Sequence, residues 1–432
     1  DTTVILKDGG SIRIRAIQPD DKPRLIEHFQ RLSQRSVYFR FFVAKKRLTD
    51  AELQKFTEPD FRTHIGLVAT LIEDGAERII GVGRCMVDPQ REPYRAEVAF
   101  AVAEAHQGRG IGTVLLDHLA PLARAAGITE FEANVLGENN QMLEVFARSG
   151  FTVARSIEGG VVHVRFPTEE TEHHSEVSLD RDRRAAAQSI KPFFQPASVA
   201  IIGASTRPNS IGNALVVNAK RCGFRGPIIP IHPSATEIEG LRVYRSVCDV
   251  GAPIDLAVIA VPAAGVEAGI EDCVRAGVLA VVVISAGFAE VSSEGRAAER
   301  RLAQQVRRSG MRMVGPNCMG LLNTAPEVSL NVTFAPAWPP PGNISMLSQS
   351  GALGLAILDY VNTLIVGIAS FVSVGNKADV SGNDLLCYWA EDPHTQVILM
   401  YLESFGNPRK FARLAPVVAR EKPIVAVKSG RS

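Results

Sequence analysis

The residues best placed to do chemistry sit in two short runs near position 100. Val98, Ala99, Phe100, Ala101 and Val102 form an apolar strand-like stretch. His106, Gln107, Gly108, Arg109, Gly110, Ile111, Gly112 and Thr113 follow, and then an apolar helix pattern. Glycines at 108, 110 and 112 let backbone N–H groups approach an anion, and a helix N-terminus adds the positive end of its dipole. That combination suits a pyrophosphate, with Arg109 adding charge at the rim. The same glycine spacing also serves a plain tight turn, so the flanking residues must discriminate. Glu97 lies on the strand and Glu104 beside the loop. A carboxylate placed beside such a loop can serve as a general base toward a bound nucleophile. Glu97 is the first candidate and Glu104 the second. The competing reading of either is a solvated or ion-paired surface carboxylate.

Two further runs suit phosphate chemistry. Val199 to Ile202, then Gly203, Ala204 and Ser205, then Ser210, Ile211 and Gly212, place a glycine turn after a buried strand, where phosphates and dinucleotides bind. The spacing is not Gly-x-Gly-x-x-Gly, which argues against a nicotinamide cofactor. Ser348, Gln349, Ser350 and Gly351 precede the apolar stretch Ala352 to Leu358, so amides and hydroxyls there can hold a phosphoryl group at a helix start.

The elements that must position these residues follow from the patterning. Residues 3–17 alternate around Asp8, Gly9 and Gly10 as a hairpin, and a helix starts at Pro19, Asp20 and Asp21. Thr49 is an N-cap candidate for a second helix, and the aromatic run Tyr38, Phe39, Phe41 and Phe42 lies between. Strands are expected at 65–72, 79–87, 96–102 and 131–135, with a last pair near 151–166, giving an α+β domain that is mainly antiparallel. From Glu169 to Gln188 large apolar residues nearly vanish, which predicts a flexible linker over 169–188. Short apolar runs at 199–202, 228–231, 256–261 and 280–284, separated by helical segments, predict a doubly wound parallel sheet. The bridge Ala335, Pro336, Ala337, Trp338, Pro339, Pro340 and Pro341 is expected to separate a third segment, 342–432, of similar α/β texture. The chain stops at Ser432 just after a strand pattern, so this third domain is expected to be truncated.

Composition bounds the answer. At 432 residues the chain is too long for one core. Its 47 Lys and Arg against 46 Asp and Glu leave a net charge of +1, so no overall field draws it to nucleic acid or an acidic membrane. The six cysteines are scattered without metal-like spacing, no run is long enough to span a membrane and no signal pattern opens the chain. A cytoplasmic protein with reduced thiols and no metal is expected.

The loop resembles the Gln/Arg-x-x-Gly-x-Gly/Ala motif of GNAT acetyltransferases, with Gln107, Gly110 and Gly112 in register. Glu138, Asn139 and Met142, then Ser149, Gly150 and Phe151, resemble that family's second CoA-side motif. The resemblance covers residues 3–166. It implies acetyl-CoA as donor, a splayed strand whose backbone near Ala101 and Val102 binds the pantetheine arm, and ligands at Gln107 to Thr113 and Asn139. It also implies the base role for Glu97. Many relatives carry a tyrosine four residues before the Gly-Phe pair; Phe146 stands there, so no phenolic general acid is assigned.

The later runs resemble ADP-forming acyl-CoA synthetases and succinyl-CoA ligase α subunits. The resemblance rests on Gly203 to Gly212; Ser285, Ala286, Gly287 and Phe288; Gly315, Pro316, Asn317 and Cys318; Ser348 to Gly351; and Ser373, Gly375, Asn376, Lys377, Ala378 and Asp379. It implies an α/β Rossmann-like CoA-binding domain at 189–336 and a flavodoxin-like ligase domain at 342–432. Gly203, Ala204, Ser205, Ser210, Gly212, Pro262, Ser285, Gly287 and Asn317 would bind CoA, and Ser348, Gln349, Ser350 and Gly351 a phosphoryl group. Glu403 resembles a glutamate that steadies a phosphohistidine, yet no histidine here lies in the matching loop. With an acyltransferase domain at 1–168, the leading expectation is a protein lysine acetyltransferase that acts on acyl-CoA synthetases, with the ligase-like region sensing acyl-CoA. A homo-oligomer is compatible with this. The alternatives are a fragment of a bifunctional ADP-forming acetate–CoA ligase carrying a GNAT domain, and a non-catalytic CoA-binding regulator.

Overall fold

The computed structural model describes residues 1–73, 75–88, 94–364 and 366–430, and the chain divides into two compact units, Asp1–Ala185 and Ala186–Ser432.

In the first unit, alternation of Ile12, Ile14 and Ala16 pairs β1 (Thr2–Ile5) with β2 (Ser11–Ala16). Three helices follow: α1 (Lys22–Gln30), α2 (Gln34–Phe41) and α3 (Asp50–Thr57). Thr49 caps α3 as its sequence predicts, in a reciprocal capping box with Glu52. The aromatic run is a helix, α2, N-capped by Ser33. Long strands β3 (His64–Glu73), β4 (Ala76–Val87) and β5 (Arg95–Val102) then pair antiparallel. After them come α4 (Ile111–Ala125), β6 (Glu130–Leu136), α5 (Asn140–Ala147), β7 (Ala154–Glu158) and β8 (Val161–Pro167). The sheet order is β1-β2-β3-β4-β5-β6-β8-β7, with β5 and β6 its one parallel pair. One face packs α4 through Leu115, Leu116, Leu119 and Phe131; the other packs α1 and α3 through Leu25, Leu53, Val68 and Val82.

Residues 169–188 do not form the flexible linker their composition predicts. They belong to α6 (Glu172–Phe194), a continuous 23-residue helix. Its early part is not self-supporting: His174 stacks on Phe151 at 4.1 Å, and Arg181 pairs with Asp117. Further along, Ala185, Ala186, Ala187 and Ile190 are buried and add high helix propensity. The ordering entropy is offset by tertiary contacts that composition cannot register.

In the second unit, β9 (Val199–Ile202), α7 (Ile211–Arg221), β10 (Ile228–Ile231), the small ribbon β11 (Glu237–Ile238) and β12 (Leu241–Arg242), β13 (Leu256–Ile259), α8 (Ala263–Arg275), β14 (Ala280–Val283), α9 (Ser293–Ser309) and β15 (Arg312–Val314) succeed one another. The five-stranded sheet β10-β9-β13-β14-β15 is parallel throughout, with strands buried on both faces as their unbroken apolar runs require. A second sheet comprises β16 (Gly320–Asn323), β17 (Leu330–Asn331), β18 (Pro341–Ser348), β19 (Ile368–Ser373), β20 (Val397–Leu402) and β21 (Ile424–Lys428), in the order β17-β16-β19-β18-β20-β21. Helices α10 (Gly351–Leu364), α11 (Gly382–Glu391) and α12 (Pro408–Ala419) pack on it. A boundary at residue 336 therefore cuts this sheet, because β16 pairs antiparallel with β19. The proline-rich stretch is a packed crossing, with Ala335 and Ala337 buried and Asn218 donating to the carbonyls of Thr333 and Ala335.

Candidate functional site

The first unit holds a cleft of about 610 Å3. Its origin is the strand pairing. β5 stays paired with β4 from Ala96 to Val102, but it meets β6 only at Arg95, Ala96 and Glu97. Beyond Glu97 the two strands part. Val98 to Val102 line one wall, and Ala133, Asn134 and Val135 the other.

The glycine loop closes the end of this wedge. Gly108 has φ +73° and Gly110 φ +90°, and the latter caps α4 from the left-handed region. A Cβ at either would meet nothing within 4 Å, so backbone conformation rather than crowding demands glycine there. Val114 N–H makes the first intrahelical bond, to Gly110, and the amides before it remain for an anion. Gly112 is different: a Cβ there would sit 3.1 Å from Val145 of α5. Ala101, Val102, Gln107, Gly108, Arg109, Gly110, Ile111, Gly112, Thr113 and Asn139 all line the cleft, and Asn139 also caps α5.

Three expected residues have prior commitments. Gln107 donates from Nε2 to the Val102 carbonyl at 3.0 Å and to Ser36 Oγ at 3.3 Å. Arg109 is paired with Asp8 of the opening hairpin and lies 3.1 Å from His106 Nδ1. Partial burial would raise the Asp8 pKa, but the hydrogen bonds from Arg109 and the Gly10 N–H, together with the charge of Arg109, outweigh it and hold the carboxyl below its ordinary range. Glu104 accepts from Ser33 N–H at 2.9 Å and from the Ser36 hydroxyl at 2.6 Å, both at Oε1. Partial burial would raise its pKa too; the serine hydrogen bonds prevail and lower it. Glu104 is not among the cleft-lining residues, and a carboxylate held down in this way is a weaker base. The structure thus gives Glu104 a part in fixing α2 to the loop.

Glu97 lines the cleft and is exposed at the point where β5 and β6 separate. Phe146 is 1% exposed and packs against Phe100 and Phe166, so the position of the missing tyrosine is filled by core packing. Among the described residues, no tyrosine or cysteine lines the cleft. Sequence reasoning missed Arg40 of α2, and also Val177, Arg181 and Arg184 of α6, which all reach the cleft. Spacing of 4 and 3 between those last three marks a single helical face, the signal that the linker assignment obscured.

In the second unit the candidates gather at the C-terminal ends of parallel strands. β9 lies between β10 and β13, so the turn after it is the point where the strand order reverses, the usual ligand crevice of such sheets. Gly203 has φ +89°, and a Cβ on Gly212 would fall 1.9 Å from the Gly203 carbonyl oxygen, so α7 starts hard against the turn. Ser210 caps α7 by accepting from Asn213 N–H, and the Asn213 side chain donates to the Ser205 carbonyl. Pro262 caps α8 after β13, Ser285 follows β14 and donates to the Val261 carbonyl, and Asn317 N–H donates to the Ser285 carbonyl after β15.

The second sheet obeys the same rule. β18 lies between β19 and β20, and Ser348 ends it at the reversal. Ser350 N–H donates to Ser348 Oγ and Leu353 N–H to Ser350 Oγ, so both hydroxyls shape the turn into α10. Gln349 is committed elsewhere: its Oε1 accepts from the backbones of Glu403 and Ser404, at 2.7 and 3.0 Å. This pins the Glu403 loop beside the serine turn. Lys377 Nζ donates to the Ser404 carbonyl at 3.0 Å; burial lowers its pKa against the opposing pull of Glu403. Among the described residues no metal-like group of His, Cys, Asp and Glu converges, and no helix is long and apolar enough to cross a membrane.

Comparison with known proteins divides along the same lines. Residues 30–151 match the acetyltransferase (GNAT) family model, 197–324 the CoA binding domain model, and 341–432 the model of the succinyl-CoA ligase like flavodoxin domain. The α subunit of an ADP-forming acetate–CoA ligase I from Pyrococcus furiosus is 41% identical over 248 residues, 56% of this chain and 53% of that protein. A structure of the dinucleotide-forming acetyl-coenzyme A synthetase 1 of Ca. Korarchaeum cryptofilum, with phosphate and ADP, is 42% identical and superposes with TM-score 0.54, over 56% of this chain and 52% of that one. An acetyltransferase of Pseudomonas aeruginosa is 29% identical over 153 residues, 35% of this chain and 80% of that protein. The chain spans about half the length of the ligase proteins it matches here.

Proposed function

For a chain that joins a GNAT acetyltransferase domain to CoA-binding and succinyl-CoA ligase-like domains, we propose two CoA-dependent activities in one polypeptide. The second unit is the CoA-binding and phosphoryl-handling part of an ADP-forming acetate–CoA ligase, and the first is an acyl-CoA-dependent N-acyltransferase. The ligase reading displaces the acyl-CoA sensor as the first reading of the second unit. What carries it is the 41% identity over 248 residues with an ADP-forming ligase subunit, with ligase-type family models at 197–324 and 341–432, together with two phosphate-type turns, Gly203 to Gly212 and Ser348 to Gly351, each at a sheet's reversal point.

For the first unit the supporting observation is the wedge between β5 and β6 with the glycine loop at its end. In this reading the pyrophosphate of acetyl-CoA lies on the α4 N-terminus and the pantetheine arm fills the place left by β6. Glu97 takes a proton from the acceptor amine, and the amine nitrogen attacks the thioester carbonyl. Amides near Val102 hold the oxyanion, and its collapse breaks the C–S bond and releases CoA as thiolate. A thiol pKa of about 8.5 makes that leaving group tolerable, and water returns its proton without a side-chain acid. A lysine of an acyl-CoA synthetase is the acceptor that this pairing of domains favours.

Calorimetric titration with CoA tests the frame: two sites per chain are expected, one of them lost in Gly110→Val, and a single site in the unaltered chain overturns it. Transfer of labelled acetyl to a purified acyl-CoA synthetase should fall at least tenfold in Glu97→Gln. Phosphorolysis of acetyl-CoA by inorganic phosphate to acetyl phosphate and free CoA, a half-reaction that needs no histidine carrier, should fall at least tenfold in Ser350→Ala. Failure of the first assay in the unaltered chain removes the lysine acceptor, and failure of the second removes the ligase.

A further inference from the structure

Residues of β4 alternate between two faces. Gly81 and Gly83 turn toward Leu115 of α4, so Val82 and Arg84 turn toward α1 and α3. Arg84 is 6% exposed, and its guanidinium lies over the Phe56 ring at 3.8 Å. An aromatic face satisfies the plane of a guanidinium but accepts none of its five in-plane N–H groups. Nη1 of Arg84 is buried and meets no hydrogen-bond partner among the described residues. Burial, with Arg40 nearby, pulls the Arg84 pKa down to about 9, and burial lowers that of Arg40 as well. Two cations facing one small space, with no salt bridge to either among the described residues and only the exposed Glu97 pulling against the burial of Arg40, are costly unless an anion joins them.

That space is a cavity of about 30 Å3 lined by Arg84, Arg40, Val82, Ala101, Phe41 and Phe56, among others. It has room for roughly two water-sized groups, the bulk of a carboxylate's two oxygens. Ala101 and Arg40 line both this cavity and the donor cleft. The pairing of β4 with β5 sets Arg84 opposite Ala99, between Glu97 and Ala101 along the same face. The cavity therefore opens where the thioester end of a donor would lie, beside the proposed base.

We infer that Arg84 and Arg40 form a subsite for a carboxylate at the reacting end of the cleft, so that the acyltransferase takes an acid-bearing substrate. The inference rests on the acyltransferase reading of this unit. The carboxylate has two sources: the free end of a dicarboxylic acyl thioester, such as a succinyl group, or an acidic group on the acceptor.

The test compares succinyl-CoA, butyryl-CoA and acetyl-CoA as donors for the full chain and for Arg84→Met, with transfer read by mass spectrometry. A succinyl-to-butyryl ratio of kcat/KM above one that falls at least twentyfold in Arg84→Met assigns the carboxylate to the donor. An unchanged donor ratio, with the acceptor KM raised tenfold or more, assigns it to the acceptor. If neither quantity moves, the subsite does not exist. Thermal shift decides independently of turnover, because the second unit responds equally in both proteins. Arg84→Met without ligand should melt higher, having lost an unpaired buried charge, and it should lose any extra stabilisation that succinyl-CoA gives over acetyl-CoA. A lower melting temperature for Arg84→Met would make the residue structural and overturn the inference. Absence of transfer from every donor, with that thermal signature present, would instead count against the acyltransferase reading.

Discussion

Glu104 offers a sharp separation between a base and a structural latch. Its Oε1 receives Ser33 N–H and the Ser36 hydroxyl; Ser36 Oγ receives Gln107 Nε2, and Gln107 also reaches the carbonyl of Val102. The chain Glu104–Ser36–Gln107–Val102 ties α2, the glycine loop and β5 together. Hydrogen bonds to a carboxylate contribute about 1.5–3 kcal/mol each when buried, and solvent exposure at this site reduces that to roughly 1 kcal/mol apiece. Glu104→Ala should therefore loosen the latch by about 2 kcal/mol. Since 1.4 kcal/mol is tenfold in binding, donor KM should rise about ten- to thirtyfold with kcat little changed. Both hydrogen bonds fall on one oxygen, and an amide oxygen can accept both, so Glu104→Gln should change donor KM by less than about threefold. A base behaves in the opposite way, because the amide cannot take a proton and kcat falls by roughly 10²–10⁴. Steady-state kinetics with acetyl-CoA as varied substrate separate the two. A hundredfold loss of kcat in Glu104→Gln at constant KM would refute the latch.

Other expectations follow from buried charge and backbone. His28 is 2% exposed, and burial holds its pKa near 4, against 6.5 when unfolded. Stability is complete above pH 6.5 and declines as pH falls toward 4, because the unfolded chain binds the proton first. The loss is about 3 kcal/mol for the first unit, and His28→Gln should flatten a plot of its melting temperature against pH. Asp21 is 1% exposed and holds Arg15 with two hydrogen bonds of 2.6 and 2.8 Å, so Asp21→Asn should cost about 3–5 kcal/mol in denaturant titration. Breaking the exposed Lys22–Glu58 pair should leave the same titration unchanged. Arg312 joins Asp379 and Asp384 in the second unit, and Arg312→Met should cost about 3 kcal/mol, because Arg307 and Lys410 still face the two carboxylates. Gly212→Ala should prevent folding of the second unit, whereas Gly108→Ala, with open space around it, should cost only about 1 kcal/mol; circular dichroism melts distinguish them.

How much of this was legible in the sequence depended on whether the cause was local. The glycine loop, the Thr49 cap and the buried parallel strands of the second unit are written in neighbouring residues, and they stand where their patterns place them. Helix α6 was hidden because its stabilising partners, Phe151 and Asp117, lie 23 and 64 residues away from His174 and Arg181. The membership of β16 in the second sheet was hidden because its partner β19 lies beyond a proline-rich crossing that reads as a boundary. The commitments of Gln349 and Glu104 are likewise non-local hydrogen bonds between motifs, and a motif pattern records residue type without recording which atoms are already spent.

The parting of β5 from β6 has one more consequence. A strand that leaves its neighbour in mid-sheet exposes an internal row of amides and carbonyls, the same surface that drives sheets to associate edge to edge. Here that edge runs only from Val98 to Val102 and faces β6 across the cleft, which leaves a second protein strand few residues to pair with. The fold thus carries an association-prone element in a short form turned toward its own neighbouring strand.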